Sequence, residues 1–192
     1  MCERIHGIVF EKMIIYKCRF SGDEMLSDAF KPVPVKDEDG NEVPGLIQIQ
    51  SQKVSKDTGG SIDIGCGNEF GGGDDEGADS GAELVNNVVD ETFGFDLHEI
   101  PMGKKDIKEY LQLYCKNLRA KLKEDDKVTG PEVKAFTQAA PAFCKWILSK
   151  YDDMQFFTSS SMDPDGSMAF AYYEDVDPLF VFIKAGLIEE KC

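Results

Sequence analysis

Residues 104–150, KKDIKEYLQLYCKNLRAKLKEDDKVTGPEVKAFTQAAPAFCKWILSK, decide the fold class. Ile107, Tyr110, Leu111, Tyr114, Leu118 and Leu122 recur at helical spacing and draw one apolar stripe. Lys105, Lys108, Lys116, Arg119 and Lys123 fall on the opposite face, with Gln112 between them. A second helix starts at Thr129-Gly130-Pro131-Glu132, where Thr129 and Glu132 stand at capping-box spacing and proline is tolerated in a first turn. Its stripe is Val133, Phe136, Ala140, Phe143 and Ile147. Pro141 lies within it and is expected to kink the helix, because its nitrogen has no proton to give Thr137. Two striped helices joined by a short polar link predict a helical hairpin over 104–151.

Outward from the hairpin the periodicity changes to that of strands. Met154 to Thr158, Met168 to Tyr173 and Leu179 to Lys184 are short β-prone runs separated by Asp163-Pro164-Asp165-Gly166 and by Glu174 to Pro178, which predicts an antiparallel meander. On the N-terminal side, residues 13–20 (MIIYKCRF) and 45–50 (GLIQIQ) read as strands, with Asp37 to Asn41 as a turn. Asp57 to Gly103 contains no lysine or arginine, and within it residues 59–81 are rich in glycine and acid. Such a segment buries too little apolar surface to offset its ordering entropy, so a disordered acidic loop is expected there, with order resuming near Leu84. The class is α+β: an antiparallel β-rich body, a protruding helical hairpin and a long acidic mobile loop.

A chain of 192 residues can bury a core without covalent staples. Its net charge of -15 argues against a general nucleic-acid binder, which needs a basic surface for phosphates, and suits basic partners, cations or simple solubility. The six cysteines, at 2, 18, 66, 115, 144 and 192, form no CxxC pair and read as reduced thiols of a cytosolic protein. Ile8 to Phe10 is too short for the core of a signal peptide, and no apolar run approaches the roughly 20 residues that span a bilayer. Histidine occurs only at 6 and 98, and His98, within Asp96-Leu97-His98-Glu99, reads as an exposed strand-end residue rather than a base or ligand. No GxSxG, HExxH, Walker A or GxGxxG pattern is present, so the inventory favours a binding protein over an enzyme.

Ser161 to Gly166 fails as an EF-hand, because Ser161 and Tyr172 stand where acids are needed. Weak calcium binding by clustered carboxylates has candidates in Asp23, Glu24, Asp74, Asp75 and Glu76, although acids are mostly solvated without forming a site. The basic stripe is the stronger feature. A polar face is ordinary on a surface helix, but five cations opposing a net charge of -15 make a local field that can steer acidic partners or receive the chain's own acidic loop. Cys192, a terminal thiol that little can bury, is expected to form a disulfide dimer under oxidising conditions.

From Met13 onward the chain resembles the translationally controlled tumour protein family. The resemblance is carried by Met13-Ile14-Ile15-Tyr16, by Ser21-Gly22-Asp23-Glu24-Met25-Leu26-Ser27-Asp28, by Asp163-Pro164-Asp165-Gly166, and by the ending Gly186 to Cys192. It implies a β-tent fold in a single domain over 13–192, with residues 1–12 outside the family pattern. It further implies a cytoplasmic, non-enzymatic interaction protein without a tightly held cofactor, linked to calcium, to microtubules and to growth and survival control. The small-GTPase contact falls on Glu24, and the tubulin-associated region falls on the basic helix. Two departures stand out: Ser159-Ser160 replaces the usual Gly-Glu after Phe156-Phe157-Thr158, and Glu69-Phe70-Gly71 replaces the usual continuation of the first signature. The alternative is an acidic calcium-buffering or chaperone-like protein acting through its loop carboxylates.

Overall fold

The computed structural model describes residues 13–56, 83–174 and 177–191. The N-terminal residues 1–12, the expected acidic loop at 59–81 with Asp74, Asp75 and Glu76, and Cys192 lie outside the described residues.

The elements are β1 (Ile14–Cys18), β2 (Glu24–Ser27), β3 (Val33–Lys36), β4 (Glu42–Gln50), β5 (Lys53–Ser55), β6 (Leu84–Asn86), β7 (His98–Glu99), α1 (Lys104–Glu124), α2 (Gly130–Ser149), β8 (Met154–Thr158), β9 (Ala169–Tyr173), β10 (Pro178–Ile183) and β11 (Leu187–Lys191). They form a six-stranded sheet in the order β3-β4-β10-β9-β8-β7, a three-stranded sheet in the order β11-β1-β2, and a β5-β6 pair. All pairings are antiparallel, and β8, β9 and β10 form the expected meander, with Phe156 opposite Phe170 and Val181 opposite Phe170.

Strand β10 explains the layering. Its residues from Pro178 to Ile183 are all buried, because it lies in the middle of the large sheet with both faces covered. Leu179, Val181 and Ile183 point to one core with the two helices, while Phe180 and Phe182 point to a second core shared with the small sheet. Strand β9 divides in the same way, Phe170 and Tyr172 facing the helices and Ala169 and Ala171 the small sheet. The period of two thus survives inside a run that reads as uniformly apolar.

The hairpin has the expected bounds and caps. The Asp106 carboxylate accepts from the Gly103 N–H at 3.1 Å, and that of Glu132 accepts from the Thr129 N–H at 2.7 Å and its hydroxyl at 2.8 Å. Helix α2 runs unbroken through Pro141, which is exposed. Its buried face includes Ala139 and Trp146 beside Phe136, Phe143 and Ile147, whereas Val133 and Ala140 are only half-buried. A glycine makes this approach possible. Gly45 on β4 has φ +86°, and a Cβ there would sit 3.2 Å from Phe143 and 3.3 Å from Ala139.

Six strands escape a reading by pattern alone: β2, β3, β5, β6, β7 and β11. They are two to five residues long and mostly occupy sheet edges, so a pattern has too few positions to register.

Candidate protein-binding site

Helix α1 separates its two faces cleanly. Ile107, Leu111, Tyr114, Leu118 and Leu122 are buried, whereas Lys105, Lys108, Lys116, Arg119 and Lys123 are all exposed. Lys105 pairs with Glu109 one turn on, at 3.7 Å. Lys108, Lys116, Arg119 and Lys123 take part in no ion pair among the described residues. Leu113, which the apolar period leaves out, is 53% exposed beside this face.

What holds that face outward is a set of bonds on the other side of α1. The Tyr110 hydroxyl donates to the Gly166 carbonyl at 2.8 Å, and the Tyr114 hydroxyl shares a 2.7 Å bond with the Ser167 hydroxyl. Burial pushes the Tyr114 phenol far above its ordinary value, so it stays a neutral hydrogen-bonding group. The Ser167 hydroxyl also donates to the Gly186 carbonyl at 3.1 Å, tying the last turn before β11 to the helix. At the end of α1, Arg19 forms a 2.5 Å ion pair with Asp125 and donates through Nε to the Ala185 carbonyl at 3.2 Å. Neither Arg19 nor Asp125 stands out in the sequence, because they are 106 residues apart. They border a groove of about 660 Å³ with Leu122, Phe136 and Ile188 in its walls.

The structure places Glu24 away from the stripe, at the start of edge strand β2. Its side chain is 50% exposed and lies 3.7 Å from Lys17 Nζ, which also pairs with Glu190 at 2.8 Å. Asp23 beside it is turned inward. Its Oδ2 accepts from the Ser159 hydroxyl at 2.7 Å and from the Ser161 hydroxyl. Burial raises the Asp23 pKa, but the Ser161, Ser159 and Ser21 hydroxyls outweigh it and hold the carboxyl below its ordinary range. Among the described residues no three His, Cys, Asp or Glu side chains gather as metal ligands, Asp23 and Glu24 included.

His98 sits on the two-residue strand β7, half-exposed, with its Nε2 3.6 Å from Asp96. Asp163 to Gly166 is a turn, closed by Gly166 N–H to Asp163 carbonyl at 3.0 Å and by Asp165 N–H to the Asp163 carboxylate at 3.0 Å. Cysteine spacing gave no hint of a further pair. Cys115 on α1 and Cys144 on α2 bring their sulfurs to 3.8 Å.

The profile of the translationally controlled tumour protein family matches residues 13–188. This chain belongs to the translationally controlled tumour protein family. It is 39% identical over 182 residues to a homologue of that protein from Saccharomyces cerevisiae, covering 93% of this chain and 99% of the relative. A homologue from Theileria annulata is 35% identical over 184 residues, with the same coverage. The solved structure of the translationally controlled tumour-associated protein p23fyp from Schizosaccharomyces pombe superimposes with a TM-score of 0.69 at 32% identity, covering 93% of this chain and 99% of that one. Against the Gly-Glu of the family pattern, the Ser159 hydroxyl of this chain has a defined partner: it anchors Asp23 next to Glu24.

Proposed function

We propose that this chain is a cytoplasmic binding protein whose main partner surface is the outer face of α1, and that the face takes acidic protein segments such as the tails of tubulin in microtubules. One observation carries the reading. Four exposed cations without ion pairs among the described residues line a face opposite the packed stripe, on a chain of net charge -15. Isolated surface pairs contribute about 0.2–1 kcal/mol each and are screened by salt, so the face acts through its summed charge, which raises encounter rate and selects acidic partners. Reversing Lys108, Lys116 and Arg119 to glutamate should leave the fold intact, since none is buried. It should weaken co-sedimentation with microtubules by roughly tenfold or more, the effect of about 1.4 kcal/mol. Raising the salt should weaken the wild type similarly. Unchanged binding by the folded triple variant rejects this face.

A second contact is supported by Glu24, half-exposed on a strand that stands at the edge of its sheet among the described residues. It is the position for a small GTPase of the growth-control type, and Glu24→Ala should abolish that contact while sparing the microtubule one. Calcium, on this reading, is a weakly bound ion rather than a resident cofactor. Its candidates are Asp23 and Glu24 together with Asp74, Asp75 and Glu76 of the acidic segment. Calorimetric titration of the intact chain and of one lacking residues 59–81 separates the two places, and loss of all activity with the segment would favour the buffering or chaperone-like alternative.

A further inference from the structure

We infer that Cys115 and Cys144 form a reversible intramolecular disulfide, a thiol-modification site that clips the two helices of the hairpin together under mild oxidation. The Sγ atoms lie 3.8 Å apart although 29 positions separate them in the chain, and both residues are half-buried against the core that the helices share with the large sheet. A disulfide needs about 2.05 Å. Closing that gap requires the two side chains, on facing helices, to turn about their Cα–Cβ bonds. The two sulfurs are within hydrogen-bond distance, and either can be the donor. Either thiol can therefore serve as the nucleophile, with the other as the resolving thiol.

With hydrogen peroxide as the oxidant, the thiolate of one cysteine of the pair attacks one peroxide oxygen and the O–O bond breaks. The departing hydroxide takes up the proton which that cysteine released, leaving water and a sulfenic acid. The sulfur of the other cysteine then attacks the sulfenyl sulfur as its proton passes to the sulfenyl oxygen. The S–S bond forms, the S–O bond breaks and a second water leaves. Two thiols lose two electrons and one peroxide gains them. Two equivalents of glutathione, or one of a dithiol, reverse the step by exchange. The pair lies on the seam between the helices rather than on the basic face, so the partner-binding reading can fail without touching it.

The test is a disulfide map of the intact reduced chain, treated with stoichiometric peroxide at neutral pH, alkylated and digested with trypsin without reductant. The expected product joins peptide 109–116 to peptide 135–145, and both reappear alkylated after treatment with dithiothreitol. Oxidised wild type should also unfold at higher urea than reduced wild type, a shift absent in Cys115→Ser and in Cys144→Ser. Reduced wild type should bind one equivalent of phenylarsine oxide, which needs two neighbouring thiols, and either serine variant should lose that binding. Recovery of 109–116 and 135–145 as separate alkylated or sulfinic peptides, while Cys18 or inter-chain links through Cys192 account for the oxidation, overturns the assignment. If a serine variant does not fold, the wild-type map alone decides.

Discussion

Replacing Gly186 by alanine puts one methyl group into the joint between the helical hairpin and the last strand. A Cβ at that position would stand 1.9 Å from the Tyr114 hydroxyl oxygen, 2.8 Å from the Ser167 hydroxyl oxygen and 3.2 Å from the Tyr114 ring carbon that bears the hydroxyl. Tyr114 cannot simply swing aside: its ring is buried, stacks on Tyr110 at 5.3 Å and meets Phe20 at 5.5 Å. Overpacking a core in this way costs about 1–3 kcal/mol. Forcing the hydroxyl off Ser167 adds about 1 kcal/mol for the lost hydrogen bond. Gly186→Ala should therefore destabilise by about 3 kcal/mol, or roughly 6–12 °C in Tm for a chain of this size. Tyr114→Phe alone should cost about 1 kcal/mol, because the Ser167 hydroxyl keeps the Gly186 carbonyl as acceptor. The double variant lacks the oxygen responsible for the shortest contact, so it should be more stable than the sum of the single effects predicts, by about 1–2 kcal/mol. Urea unfolding read by the fluorescence of Trp146 measures all four corners of this cycle. Trp146 is the sole tryptophan and packs edge-on against Tyr172 of the large sheet, so it reports on unfolding of the core that the hairpin and the sheet share. Additivity within about 0.5 kcal/mol, or a harmless Gly186→Ala, would refute the reasoning.

Two leucines on α1 give a sharper contrast than their chemistry suggests: Leu118→Ala should cost about 2–5 kcal/mol, and Leu113→Ala less than about 0.5, by the same unfolding assay. Gly45→Ala should destabilise both through its φ of +86° and through the press of the new methyl on Phe143, and a Tm equal to wild type would show that α2 can retreat. Asp23 has its carboxyl held below its ordinary value of 3.8, so its contribution to stability is present above that pH and is lost as pH falls through the lowered folded value. The stability gap between wild type and Asp23→Asn should accordingly be fully open at neutral pH and close in acid. In Ser159→Ala the carboxyl should titrate at higher pH than in wild type, as carbon-13 NMR of the side chain can report, and an unmoved titration would break the link between the two residues.

Sequence alone determined the elements whose signals are local and repeated. Six apolar positions at helical period gave α1 its length and its two faces, five of them fully buried and Tyr110 half-buried. Short apolar runs between turn residues gave the β8-β9-β10 meander. The five cations followed from the same period, since they occupy positions that the apolar stripe leaves out, and all five are exposed. The motif around Asp23 to Asp28 pointed to the family, which the match over residues 13–188 shows.

Tertiary structure decided whatever depends on residues far apart in the chain. Strands β2, β7 and β11 exist because a neighbour offers them a free edge, which no property of two to five residues encodes. Asp23 and Glu24 are adjacent and chemically alike, yet the fold turns one onto Ser159 and leaves the other half-exposed beside Lys17. Arg19 found Asp125, and Cys115 found Cys144, only when the hairpin closed and docked. The physical reason is the same in each case. Periodicity fixes which side of an element is apolar, but a contact between side chains depends on how two elements pack, and that is settled by the shapes of the whole core.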